Sequence, residues 1–236
     1  MVNHMLTRRW DLGSGTVDYE EAWALQREFH AAVVEGRSPG TLLLLEHASV
    51  YTAGRRTAAW DRPTDGTPVI DVDRGGRITW HGPGQLVAYP IVRLREPLDV
   101  VSFVRALEQA VIDLCTELGL PGARVEGRSG VWIVGTDGAQ DRKLAAIGVR
   151  VAKGVAMHGI AVNACPDLDA FSRIVPCGLP DAGVTSFTEF LGEEMSVVAC
   201  ADRLEPHLHA ALSAVTADDV EPVPASAAGA VPAALA

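Results

Sequence analysis

Lysine is almost missing from this chain: of its 20 basic residues 18 are arginine, which leaves only Lys143 and Lys153. A composition rich in alanine, glycine and arginine explains that scarcity as a codon bias towards G and C. It still narrows a search, because an amine that must shed its proton can only be a lysine. Lys143 opens an apolar strand pattern and Lys153 sits in a Lys-Gly turn. Cysteine is nearly as scarce, four in 236 residues with no CxxC pair, which excludes a disulfide scaffold and a zinc knuckle. No His/Cys/Asp/Glu cluster has ligand spacing, so neither a metal nor an organic cofactor is expected. No apolar run approaches the ~18 residues of a membrane span. The first residues, Arg8 and Arg9 followed by Asp11, Asp18, Glu20 and Glu21, lack the order of a secretion signal, and the expectation is a cytoplasmic protein off the membrane. The phosphate-cradling GxxxxGK[ST] pattern is absent. A net charge of −10 excludes a general nucleic-acid role.

What is present reads as an ordinary globular body. Hydrophobic residues make up 48% of the chain and charged ones 21%, enough for one large domain. Asp18 with Glu21 opens a first helix with an apolar stripe through Trp23, Leu25, Phe29, Ala32 and Val33, stopped at Gly36. Asp99 opens a second, with Val100, Val104, Leu107, Val111, Leu114 and Leu118 on one face and Gly119 as its end. A last helix starts at Ser196, and Pro206 inside it predicts a kink or break. Strands are expected over 41–46, 69–73, 86–92, 131–134, 144–151 and 155–162, with 48–65 an irregular connection and 75–84 a glycine-rich loop. The sum is an α+β fold, helices packed on a mixed sheet. Residues 216–236 hold eight alanines, three prolines, three acids and no base, and read as a disordered tail behind a single catalytic domain over 1–215.

Charge is spread unevenly. Between Tyr51 and Arg95 seven arginines (55, 56, 62, 74, 77, 93, 95) face four aspartates (61, 65, 71, 73). That stretch is either a docking surface for an acidic partner or a solvated loop surface. It contains the densest feature of the chain, Arg74-Gly75-Gly76-Arg77-Ile78-Thr79-Trp80-His81-Gly82-Pro83-Gly84-Gln85. Its glycines let backbone approach a ligand closely, and its Arg, His and Gln offer directed hydrogen bonds. The same glycines serve equally well as plain turns. Among the cysteines, Cys115 and Cys200 sit on apolar helix faces and Cys165 precedes a proline. Cys177 lies between Pro176 and Gly178, a turn that holds a thiol still and open. Such a thiol needs a cation or base beside it, and Lys143, His81 and His158 are the candidates.

Four segments in this order, RGGRITWHGPGQLVAYP (74–90), RKLAAIG (142–148), MHGIAVN (157–163) and IVPCG (174–178), make the chain resemble the lipoyl(octanoyl) transferases, in particular actinobacterial and mycobacterial members. The similarity runs from about Asp18 to about Leu191. It implies the biotin/lipoate protein ligase-like fold shared with class II aminoacyl-tRNA synthetases. It also implies an enzyme of lipoate biosynthesis that moves an octanoyl group from octanoyl-acyl carrier protein to a lysine of lipoyl domains, those of 2-oxoacid dehydrogenase E2 subunits and of the glycine cleavage H protein, working as a monomer. By position, Cys177 would carry the acyl thioester and Lys143 would activate it. Arg74, Gly75, Gly76, Arg77, Ile78, Thr79, Trp80 and His81, Ala146, Ile147 and Gly148, and His158, Gly159 and Ile160 would line the substrate site. Acyl carrier proteins and lipoyl domains are commonly acidic, which gives Arg55, Arg56 and Arg62 a motive as a docking surface. The rivals are an ATP-dependent lipoate protein ligase, which needs no nucleophilic cysteine; a biotin protein ligase, of whose GRGR-type loop only Gly54-Arg55-Arg56 is present; a thiol hydrolase; and a non-catalytic acyl- or lipoyl-domain-binding module.

Overall fold

The computed structural model describes residues 5–174 and 182–217. Its centre is an eight-stranded mixed sheet. Strand β1 (Leu6–Trp10) runs parallel to β2 (Thr41–Leu45), and antiparallel neighbours follow: β6 (Gln85–Ile91), β10 (Val155–Asn163), β9 (Arg142–Ala152), β8 (Arg128–Ile133) and β7 (Gly122–Val125). A two-residue strand, β11 (Gly183–Val184), lies parallel to the start of β9. A smaller sheet of β4 (Val69–Asp71), β3 (Val50–Ala53) and β5 (Ile78–His81) stands beside it.

The apolar run Thr41–Leu45 is continuous because both faces of β2 are covered. Leu42 and Leu44 point into a core shared with α2 (Val100–Glu117) and α4 (Val197–Ser213), whereas Leu43 and Leu45 point into a second core under α1 (Tyr19–Val34). On β6 the same alternation sends Leu86 and Ala88 one way and Val87, Tyr89 and Ile91 the other. The remaining helix, α3 (Phe187–Leu191), seats Phe187 in the larger core.

The helix starts follow the expected chemistry. The Asp18 carboxylate accepts from the Glu20 and Glu21 amides, and Asp99 and Ser196 cap α2 and α4. The buried face of α2 differs from the expected one by about one residue. Phe103, Leu107, Ala110, Val111, Leu114 and Cys115 are buried, while Val100 and Val101 are exposed. Pro206 does not break α4, which is continuous from Val197 to Ser213; packing of Cys200, Leu204, Leu208 and Leu212 in the core outweighs the one backbone bond a proline removes. Five strands were not anticipated: β1, β3, β5, β7 and the two-residue β11. Two lie where loops were expected, β3 within 48–65 and β5 within 75–84. Thr216 and Ala217, assigned to the tail, pair with Leu94 and Arg93. The rest of that segment lies outside the described residues.

Candidate active site

The two sheets enclose a cavity of about 300 Å³. Lys143 and Ala146–Gly148 of β9, His158–Ala161 of β10 and Val87 and Tyr89 of β6 form one side, and Thr79 and His81 of β5 the other. The pleat divides the glycine-rich stretch. Thr79 and His81 face the cavity, whereas Ile78 and Trp80 turn away into a separate apolar cluster with Tyr51, Phe171 and Ile174. Gly75 is not a wall either; its amide donates to the Val149 carbonyl at 2.9 Å and ties the turn to β9. Tyr19, Arg56 and the hairpin residues 127–129 complete the lining. Tyr19 and the hairpin lie outside the four motif segments, and Val87 and Tyr89, although inside the segment 74–90, were not among the expected site residues; helix and sheet packing bring them there. For β5 a signal existed, the alternation Ile-Thr-Trp-His between its flanking glycines.

Arg74 builds this wall. Its buried guanidinium donates from Nη1 to the carbonyls of Gly75 at 3.0 Å and Arg77 at 2.9 Å, and from Nη2 to the Thr52 carbonyl at 2.9 Å and hydroxyl at 2.8 Å. One planar fork thus holds β3, the turn and the start of β5 together. Glycines make room for it. A Cβ on Gly148 would stand 2.8 Å from Arg74 Cδ, and one on Gly54 would stand 2.6 Å from the Gly76 carbonyl oxygen and 2.7 Å from Arg74 Nη1.

Three histidines around the cavity are held neutral. Burial pushes His47 and His158 down to about 4 and His81 well below its usual value. Their partners fix the tautomers. His47 donates from Nδ1 to the Val17 carbonyl at 3.0 Å and accepts the Tyr89 hydroxyl at Nε2 at 2.8 Å. His81 donates from Nδ1 to Gln85 Oε1 at 2.7 Å; Gln85 donates to Asn163 and Asn163 to the Thr185 carbonyl, each at 2.9 Å. His158 donates from Nε2 to Asp73 at 2.8 Å, and Asp73 also pairs with Arg150 at 2.6 Å. With His158 hydrogen-bonded and these cations near, Asp73 is held below the usual carboxylate value despite partial burial, which raises it.

Lys143 is buried to 7% exposure at one end of the cavity, its Nζ 4.5 Å from the centre of the Trp132 ring, a placement that attracts an ammonium. Buried Glu108 shapes this end. It is paired with Arg105 at 2.6 Å and Arg124 at 2.9 Å, and accepts the Gly130 amide at 2.9 Å. A Cβ on Gly130 would meet the Ala145 carbonyl oxygen at 2.3 Å and Lys143 Cε at 3.5 Å. On the other edge of β9, Gly183 and Val184 of β11 pair with Arg142 and Lys143, and Thr185 donates to the Lys143 carbonyl at 3.0 Å. Cys177 lies outside the described residues. The three described cysteines are poor nucleophiles, because burial raises every one of them, Cys115 to about 12.

The arginine-rich stretch is less of a surface than its count suggested. Arg74 is internal, Arg77 pairs with buried Asp61 at 3.2 Å, Arg62 pairs with Asp71, and Arg93 caps α1 through the Val33 and Val34 carbonyls. Arg55 and Arg56 are exposed, and Arg56 lines the cavity.

A family model described as the lipoyl protein ligase A/B catalytic domain matches residues 18–209. The chain belongs to this family. An octanoyltransferase from Clavibacter sepedonicus is 61% identical over 222 residues, 93% of this chain and 96% of that protein. One from Mycolicibacterium smegmatis is 60% identical over 190 residues, 80% and 83% of the two chains. Among solved structures, a bipartite archaeal lipoate protein ligase from Thermoplasma acidophilum gives a TM-score of 0.66 at 19% identity, covering 89% of this chain and 85% of that one. A lipoate-protein ligase A bound with ATP gives 0.60 at 18% identity and the same coverages. At such identities these two show a shared fold, the α+β architecture expected from the sequence. The lipoyl protein ligase A/B match extends beyond Leu191 into α4, and this member of the family is an acyltransferase.

Two outcomes follow from the lipoyl protein ligase A/B site. Arg74→Lys keeps a charge but cannot serve four acceptors in one plane; it should destabilise the domain by about 2–3 kcal/mol in urea unfolding, and an unchanged stability would remove Arg74 from its architectural place. His47 and His158, held at about 4 when folded and near 6.5 when unfolded, take up protons in the unfolded chain first. Stability should therefore be complete above pH 6.5 and fall between pH 6.5 and 4, with up to about 1.4 kcal/mol per pH unit from each histidine. His47→Gln should reduce that slope by about one proton, measured as unfolding free energy against pH.

Proposed function

We propose that the chain transfers an octanoyl group from octanoyl-acyl carrier protein to a specific lysine of lipoyl domains, by way of a thioester on Cys177. The observation that carries this reading is the position of Lys143. The buried amine stands at one end of a cavity walled by Ala146, Ile147, Ile160 and Ala161, on the strand whose edge receives β11, six residues after Cys177. The cavity volume, about 300 Å³, lies at the small end of ligand pockets and suits one unbranched acyl chain. Burying seven methylene or methyl groups at ~0.8 kcal/mol each gives about 5 kcal/mol of anchoring.

The chemistry balances without an external energy source. The Cys177 thiol gives its proton to the Lys143 amine, and its sulfur attacks the donor's carbonyl carbon. The C–S bond to the carrier breaks as the new one forms, and the carrier thiolate takes the proton from Lys143. In the second half the acceptor lysine, as a neutral amine, attacks the Cys177 thioester. Its excess proton passes through Lys143 to the departing Cys177 sulfur, leaving an amide and the free thiol. The neutral histidines keep further positive charge away from the acyl chain. Arg74, Gly76, Arg77, Thr79, His81, Ala146–Gly148 and His158–Ile160 contact the substrate, with Gly75, Ile78 and Trp80 supporting them from behind. The acceptors are the lipoyl domains of 2-oxoacid dehydrogenase E2 subunits and the glycine cleavage H protein. The enzyme acts as a cytoplasmic monomer with residues 1–215 as its catalytic domain; no helix among the described residues is long and apolar enough to cross a membrane.

The second reading, an ATP-dependent lipoate ligase, rests on fold likeness at under 20% identity, while octanoyltransferases match at about 60%. Transfer from octanoyl-acyl carrier protein to an unmodified lipoyl domain should proceed without nucleotide. Cys177→Ser and Lys143→Met should each lower kcat by at least about a thousandfold, with folding checked by circular dichroism. A strict ATP requirement, or full activity in Cys177→Ser, would overturn the reading.

A further inference from the structure

The segment 54–62 presents two exposed arginines, Arg55 and Arg56, and an exposed tryptophan, Trp60, on a backbone that has no freedom to hide them. Its amides are committed inwards: Arg55 donates to the Arg74 carbonyl at 3.1 Å, Arg56 to the Gly76 carbonyl at 3.0 Å and Thr57 to the Gly54 carbonyl at 3.0 Å. The short 3-10 turn Ala59–Asp61 that follows is pinned by Asp61, only 1% exposed, which accepts the Ala58 amide at 2.9 Å and pairs with Arg77. With the backbone so anchored, Trp60 stands 77% exposed, the most exposed of the large apolar side chains among the described residues. Arg55 and Arg56 make no side-chain ion pair among the described residues, and Arg56 reaches the rim of the cavity. A rigid exposed tryptophan in the same short segment as exposed arginines that make no direct ion pair is the composition of a binding hot spot rather than of a solvated loop.

Building on the octanoyl transfer proposed above, we infer that Arg55, Arg56 and Trp60 form the landing site of the acyl donor, an acidic carrier protein whose thioester arm hangs from a phosphodiester. Acidity alone would suit donor and acceptor alike. The groups that must pass the rim separate them: the donor brings a phosphodiester anion, the acceptor a lysine ammonium. The Arg56 guanidinium at the rim, with exposed Arg55 next to it in the chain, attracts the first and repels the second. Trp60 supplies the apolar contact that orients the carrier surface, and the arm then runs past Arg56 towards Lys143.

Steady-state kinetics on the full chain test this, with three substrates varied separately: octanoyl-acyl carrier protein, octanoyl-pantetheine, which lacks both protein and phosphate, and an unmodified lipoyl domain. Arg55→Glu and Trp60→Ala should each raise KM for the octanoyl-acyl carrier protein by about tenfold relative to KM for octanoyl-pantetheine. KM for the lipoyl domain should move less than twofold. Arg55→Lys and Trp60→Phe should restore most of the loss, and Arg55→Glu should flatten the salt dependence of the carrier reaction. Three results would each overturn the inference: a rise in KM for the lipoyl domain instead, equal effects on the two octanoyl donors, or no effect while Val101→Asp, at the exposed start of α2, raises the carrier KM. Failure of the unaltered enzyme to use octanoyl-acyl carrier protein at all would instead refute the proposed function.

Discussion

The guanidinium of Arg74 is where the smaller sheet, the glycine-rich turn and the larger sheet become one object. Four acceptors from Thr52, Gly75 and Arg77 surround it, the Gly75 amide reaches across to Val149, and Gly148 leaves room for its side chain. A cation at this depth is tolerated only while those acceptors stay in place, so its burial enforces the geometry. The cavity is the space left between two sheets held at that separation. Everything proposed for acyl transfer uses a wall that this one side chain positions.

Around that space the histidines add no charge to that of the lining cations, Arg56, Arg74, Arg77, Arg128 and Lys143. His47, His81 and His158 are neutral, and each has a stated donor partner or acceptor partner inside the protein. The relay from His81 through Gln85 and Asn163 ends on the Thr185 carbonyl, and the Thr185 amide returns to Lys143. The cavity wall at His81 and the strand bearing Lys143 are therefore braced by the same buried hydrogen bonds. At the other edge, Glu108 fixes the hairpin that closes over Lys143. These contacts set the position of the amine from two sides, which is what the proton transfer proposed for it would need.

Much of this was legible in the chain, for reasons that differ by residue. Capping by Asp18, Asp99 and Ser196 is local chemistry, and so are the strands over 41–45 and 155–163, whose apolar runs have no other use. The scarcity of lysine pointed to Lys143 before any coordinates. What failed was the reading of residues whose fate depends on distant partners. The strand Ile78–His81 looked like loop because glycines bracket it, and half of its side chains face a cluster built from Tyr51 and Phe171. Arg74, Arg77 and Arg93 counted as surface charge but bind inside the molecule, with acceptors up to dozens of residues away, and Arg62 is taken up by a surface pair with Asp71. Tyr19 and Tyr89 reach the cavity through sheet and helix packing that no local spacing encodes.

The central claim is that an acyl group rests on one sulfur between its two protein carriers. Intact-protein mass spectrometry after mixing the enzyme with octanoyl-acyl carrier protein, acceptor withheld, tests it directly. The account predicts one octanoyl group per chain, mapped to Cys177 by peptide analysis and discharged on addition of a lipoyl domain at a rate no slower than turnover. An enzyme that stays unmodified while still transferring, or that carries the label at another residue, would contradict it.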